Sequence, residues 1–322
     1  MLNICPDGEL IVILTTRCNM QCEYCYQFDA DNNSIMSCNS DMTWEVLDDI
    51  LSNTTREYVK FFGGEPLIRC DLIKKAMDKY DKKWSISTNG ILYGKLPSEY
   101  WNRISDISIS FDGFHSYERS SNNVVMKKTI DGILGIVDIV GSNNLTIAIT
   151  MNEIDNNYHL IDEMIAMNEL LGVIKFDINI GIQTPSFSKS RRSSKDANLL
   201  VEHLVEEVIN AYKYVIENDN KFLFLTKSQI ISNSAKNTYC PMLDGTGEFI
   251  STDGNAMQCY IADPVGVDVH GYSIEDKMYG CPYVKEVDPH LYDALSIYGG
   301  HLDIIESLED INQHEFFKNN GV

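Results

Sequence analysis

Three cysteines crowd the segment TTRCNMQCEYCYQ, at Cys18, Cys22 and Cys25. Disulfides use thiols in pairs, and a closed structural zinc site uses four ligands. Three thiolates on one loop can instead hold three corners of a cubane iron–sulfur cluster. The fourth iron then stays open to a small molecule with amine and carboxylate donors. The competing reading of the same residues is a zinc site completed by a distant ligand. A second set lies near the C-terminus: Cys240, then thirteen residues, Gly254, four more, and Cys259, with Cys281 as a third candidate ligand. The turn residues TDGN between Cys240 and Cys259 suit two short strands that would bring those cysteines together. Zinc or an iron–sulfur cluster at this set would staple a small subdomain. Cys5, Cys38 and Cys70 read as small buried hydrophobes, although each of them, like His270 and His290, is also conceivable as a fourth ligand. A free thiol could also give a hydrogen atom to a substrate radical.

The chain has 322 residues, 44% of them hydrophobic and 23% charged, and a formal net charge of −21. That acidity argues against a nucleic-acid or anionic-lipid partner, both of which need a cationic surface. The N-terminal MLNICPDGELIVIL has no basic region and only a short apolar run, so it reads as neither a signal peptide nor a membrane span. A cytosolic setting follows. There nine cysteines stay mostly reduced, and clusters of them point to metal.

Strand-like runs rich in β-branched and aromatic residues occur at 9–15, 58–62, 83–87, 104–111, 145–151 and 173–181. Helical patterns lie between them, with Asp71 and Ser98 expected as caps. The stripe Leu160, Met164, Met167 and Leu171 reads as core packing. Alternating β and α predicts parallel strands with right-handed crossovers. Six such units are too few to close an eight-stranded barrel, so the expected fold is α/β, an open partial (βα)6 TIM-like barrel. The expected organisation is a barrel at 1–183, a linker and bridging helix at 184–238, and a cysteine-bearing extension at 239–322. Within the middle segment, the Ser-rich, basic TPSFSKSRRSSKD at 184–196 reads as a loop, followed by a long amphipathic helix from about 196 to 217.

Polar motifs follow the strands: CNMQCEYC the first, GGEP (63–66) the second, TNG (88–90) the third, and SFDG (110–113) at the end of the fourth. Strand ends and helix N-termini converge on this edge in parallel α/β folds. Gly63 and Gly64 would let backbone groups approach a bound molecule closely.

C-x3-C-x2-C with aromatic Tyr24 before the last cysteine resembles the signature of radical SAM enzymes, and the likeness extends over about residues 9–181. GGEP (Gly63, Gly64, Glu65, Pro66) resembles the family's motif for the methionyl amine of S-adenosylmethionine. STNG, with Thr88 and Asn89, resembles its third-strand segment. ISISFDGFHSYERS, with Ser110, Asp112 and Arg119, resembles its fourth. The resemblance implies a SAM-binding 4Fe-4S cluster on Cys18, Cys22 and Cys25. It also implies reductive cleavage to a 5′-deoxyadenosyl radical that abstracts hydrogen from a C–H bond, and an electron donor such as a flavodoxin or ferredoxin. LTIAITMNE lacks the glycines of the usual adenine motif.

C-x13-G-x4-C resembles the opening of SPASM and twitch extensions, implying an auxiliary 4Fe-4S cluster on Cys240, Cys259 and Cys281. YGGHLDIIESLEDINQHEFFKN resembles the stretch before the last SPASM cysteine block. No such block follows here, which favours a twitch-like form with one auxiliary cluster. The expected function is C–H activation on a peptide or protein substrate: crosslinking, epimerisation or oxidation. A start of the first strand near residue 9 leaves no room for an N-terminal peptide-recognition domain, so a separate carrier or the cavity itself would recognise a precursor. The competing expectations are a twitch-type dehydrogenase of a sugar or aminocyclitol, and a non-catalytic zinc module.

Overall fold

The computed structural model describes residues 8–22, 25, 27, 40–114, 123–151, 159–180, 193–218, 222–225, 247–257, 259 and 289–320. Tyr24, Arg119, Cys5, Cys38, Cys240, Cys281, His270 and most of the Ser-rich segment therefore lie outside the described residues.

The six expected strands form: β1 (Glu9–Thr15), β2 (Tyr58–Gly63), β3 (Lys83–Thr88), β4 (Ile104–Ser110), β5 (Leu145–Met151) and β6 (Lys175–Ile180). The sheet continues beyond them at both edges. β7 (Leu223–Leu225) pairs with β6, β8 (Gly247–Ile250) pairs with β1, and β9 (Ala256–Met257) closes the order β7-β6-β5-β4-β3-β2-β1-β8-β9. Every pairing is parallel except the β8–β9 hairpin.

The two sheet faces differ in chemistry because side chains alternate along a strand. Leu10, Val12, Phe61, Ile86, Ile107 and Ile147 turn to the helical side and join one continuous core. Phe61 and Trp84 stack there at 5.1 Å. On the other face of β3–β5 stand Ser87, Ser108, Ser110, Thr146 and Thr150, all half-buried. A sheet apolar on one side and polar on the other, curved as a partial barrel, has a lumen built for a polar occupant.

The helices are α1 (Trp44–Asn53), α2 (Cys70–Lys79), α3 (Ser98–Trp101), α4 (Asn123–Val140), α5 (Leu160–Leu171), α6 (Ser194–Glu217), α7 (Pro289–Gly300) and α8 (Leu302–Asn320). The stripe Leu160, Met164, Met167 and Leu171 is buried as expected. The expected caps Asp71 and Ser98 are corrected. The α2 cap is Arg69, and Asp71 in the first turn receives the Arg69 guanidinium at 3.0 and 2.8 Å. A short helix after β2, Pro66–Arg69, runs directly into α2, so the chain has already turned before Asp71. Ser98 lies inside α3 behind Pro97, which pre-sets the entry. Thr43 does cap α1, and Ser193 forms a capping box with Asp196 at the start of α6. No described helix is long and apolar enough to cross a membrane.

Candidate active site

The loop after β1 is held from below by the chain after β2. Gly64 N–H donates to Thr15 O at 2.8 Å, and Glu65 N–H donates to Arg17 O at 2.9 Å. This crossing explains both glycines. A Cβ on Gly63 would stand 2.3 Å from Thr15 O, and Gly63 has φ +143°; a Cβ on Gly64 would stand 2.3 Å from Arg17 O. The close approach expected toward a bound molecule is thus made, in this structure, to the backbone of the cysteine loop.

Glu65 is fully buried. Its carboxylate accepts from Leu67 N–H at 3.0 Å, Thr88 Oγ1 at 2.7 Å and Asn89 N–H at 2.8 Å. Burial pushes its pKa up, and the three donors oppose that rise. With its carboxylate committed to protein donors, Glu65 acts as the tie between GGEP and TNG. Asn89 carries the tie onward: its Nδ2 donates to Asn19 Oδ1 at 2.8 Å and reaches Cys18 Sγ at 3.8 Å.

Cys18, Cys22 and Cys25 are half-buried and form no disulfide among the described residues. Burial pushes the Cys18 thiol up to about 11, opposed by the Met20 N–H that points at its sulfur. Ligation must therefore displace a proton from a buried thiol, which a metal does readily. Among the described residues no group of three or more His, Cys, Asp or Glu gathers around a position for one metal ion.

Gln27, two residues beyond Cys25, is 2% exposed, and among the described residues both polar atoms of its side chain lack a partner. Buried amides without partners are rare, and an added group beside the loop would satisfy this one. The donor set and Gln27 together fit a cluster and its ligand.

The far side of the loop is clamped. Arg17 holds Asp41 through Nε at 2.9 Å and Nη2 at 2.5 Å, and Thr15 Oγ1 donates to the same carboxylate at 2.6 Å. Desolvation acts to raise the Asp41 pKa, but these bonds and the Arg69 charge hold it below the usual value.

After β4, Ser110 is half-buried on the lumen face, and Asp112 accepts Thr150 N–H at 2.9 Å, joining that loop to β5. Two buried glutamates not singled out in the sequence secure the same rim. Glu163 accepts Phe114 N–H at 2.6 Å, and Glu207 accepts Leu160 N–H at 2.6 Å at the start of α5. Both lie among apolar residues of their helices, between Leu160 and Met164 and between Leu204 and Val208. A carboxylate inside a hydrophobic stripe was the signal that could have found them. Cys70 is buried and donates to Leu67 O at 3.1 Å, behind the site. His290 contacts Ser194 Oγ at 2.9 Å on the surface.

Cys259 packs against the core beyond β9. The hairpin before it turns at Gly254, φ +88°, whose Cβ position is 2.9 Å from Val46 on α1. Thr252 Oγ1 meets Ser40 Oγ at 2.6 Å.

Fold and site together define an α/β partial barrel that presents three thiols at the carboxyl edge of its sheet. Residues 12–152 match the family model "Radical SAM superfamily". The chain is 24% identical over 282 residues to the "Radical SAM cyclopropyl synthase TigE" of Paramaledivibacter caminithermalis, covering 78% of this chain and 57% of that protein. Among solved structures it resembles anSMEcpe with bound AdoMet, with a TM-score of 0.63, 12% identity and coverage of 96% and 97%. It also resembles Streptococcus suis SuiB bound to precursor peptide SuiA, with a TM-score of 0.55, 16% identity and coverage of 88% and 65%. The chain thus spans less than two thirds of TigE and of SuiB.

Proposed function

We propose that this protein is a peptide-modifying radical SAM oxidoreductase. The observation that carries the reading is the bonded path from GGEP through Glu65 and Asn89 to Cys18, which couples three motifs at one rim. The likeness to SuiB, solved with a precursor peptide, supports a peptide substrate.

Cys18, Cys22 and Cys25 would hold a 4Fe-4S cluster, and Gly63–Pro66, Thr88, Asn89, Ser110, Asp112, Tyr24 and Arg119 would surround S-adenosylmethionine. When bound, this pair supplies a 5′-deoxyadenosyl radical from one electron delivered by a flavodoxin- or ferredoxin-like donor in the cytoplasm. The chain's own part is positional. Glu65 fixes the motifs relative to each other, Asn89 steadies the sulfur of Cys18, and the curved sheet keeps water from the reacting bond.

Cys259, with Cys240 and Cys281, would hold an auxiliary cluster in a twitch-like extension over 239–322. The antiparallel register Phe249↔Met257 carries the chain back toward the level of Gly247, which pairs with Glu9 at the start of β1. That is the opposite end of β1 from Cys18, about 20 Å along the strand. A substrate in the lumen would lie between the two cysteine sets.

Anaerobic reconstitution tests the reading. We expect about four irons per cluster and 5′-deoxyadenosine formed under reduction, with Cys22→Ala abolishing the product. Reductive cleavage by that variant, or a single zinc ion bound by the wild type, would overturn it.

A further inference from the structure

The lumen wall carries charge as well as hydroxyls. Glu9, Lys60, Ser85 and Asp106 face inward from β1, β2, β3 and β4, and the register places Lys60 beside Ser85 and Ser85 beside Asp106. Most of these groups are occupied by one another. Ser85 Oγ donates to Glu9 Oε1 at 2.5 Å, and Lys60 Nζ stands 3.9 Å from Glu9 Oε2. Lys175, on β6, gives its ammonium to the Asn143 carbonyl at the edge of the sheet. Lys60 feels Glu9 first, and then Asp106 and Asp177, while Lys175, on the same face of β6 as Asp177, also acts on Asp106, so three carboxylates stand against two ammonium groups.

Asp106 is the group left over. Among the described residues nothing hydrogen-bonds or ion-pairs with its carboxylate. Its surface is accessible, yet the surrounding strands desolvate it and push its pKa up, Lys60 opposing, Glu9 adding to the rise and Lys175 opposing more weakly. An accessible surface inside a partly desolvated lumen is what a ligand-facing carboxylate has. Above it on β4 come Ser108 and Ser110, and on the neighbouring strands Ser87 and Thr146. None of these four hydroxyls bonds to another described residue, so the wall offers donors and acceptors with the Asp106 carboxylate at its foot.

We infer that Asp106 is a specificity-determining residue that pairs with a positively charged group on the substrate. The proposal rests on the radical SAM reading, because it takes the lumen as substrate space. Asp106 lies four residues before Ser110, about 13 Å along the strand. The cationic group therefore sits several bonds away from the carbon presented at the cysteine rim. An amine or guanidinium supplies this chemistry, whether from a basic peptide side chain or from an amino sugar.

Calorimetry on the full chain tests it with two charged probes and their neutral counterparts: Nα-acetyl-lysine N-methylamide against the norleucine analogue, and glucosamine against glucose. At least one charged probe should bind ten-fold or more tighter than its neutral counterpart, and the probe that does so names the source. Asp106→Asn should remove that preference, Asp106→Glu should keep most of it, and Asp106→Lys should shift binding toward Nα-acetyl-glutamate N-methylamide. Melting temperatures identify any variant that fails to fold. If Asp106 merely balanced Lys60 within the wall, Asp106→Asn would change melting and leave selectivity intact, which overturns the proposal. Equal binding of charged and neutral probes by the wild type, or no binding of either charged probe, overturns it too. S-adenosylmethionine cleavage, assayed separately, distinguishes these failures from failure of the enzyme assignment.

Discussion

Glu65 shows how one buried side chain governs a site without needing to touch a ligand. Removing it leaves the Thr88 hydroxyl and the Asn89 and Leu67 N–H groups without their acceptor. Each such loss inside a protein costs about 1–3 kcal/mol. Glu65→Ala should therefore lower unfolding stability by about 3 kcal/mol or more, measured by denaturant titration, and weaken cluster retention. Because burial raises the folded pKa of Glu65, its contribution is fully present below the unfolded value and is lost as pH rises through the raised folded one. Glu65→Gln should flatten that part of the stability–pH curve, and an unchanged curve would refute the assignment. Gly64→Ala drives a methyl into the Arg17 carbonyl and should cost about 2 kcal/mol or more, read in the same titration.

At the scale of elements, the cysteine loop is a strap fastened at both sides, by β2 beneath and by Asp41 on the flank. Asp41 is held below its usual pKa, so its share of the clamp is present above the unfolded value and lost as pH falls through the lower folded one. Asp41→Asn should reduce iron retention near neutral pH, measured by the rate of loss to a chelator. The strands that carry the motifs were legible in the sequence, because apolar and β-branched runs such as ELIVILT and LTIAITM have a strong local signal. The caps at Asp71 and Ser98 were misread because a short helix and a proline had already begun the turn. β7 and β8 were not assigned to the sheet: each is four residues or fewer, and its pairing partner is distant in sequence. The glycines of GGEP were legible as a site marker, but their contact with the first loop exists only once β1 and β2 pair. Asp106 had no local signal, since its significance depends on what Glu9 and Lys60 do across the sheet.

For the whole molecule, the hairpin of β8 and β9 carries Cys259 toward the end of β1 opposite Cys18, and the proposed auxiliary set should act after hydrogen abstraction. Cys259→Ala is expected to retain S-adenosylmethionine cleavage and lose the modified product, followed by mass spectrometry. Full product yield would remove Cys259 from the chemistry. The place of β8 beside β1 has a further consequence. The extension shields a strand that would otherwise stand at the margin of the sheet with its N–H and C=O groups bare. A chain cut at residue 238 would offer Glu9–Val12 as a template for intermolecular pairing. Such a fragment should sediment as aggregates where the intact chain does not, making the C-terminal segment a guard against self-association as well as a holder of cysteines.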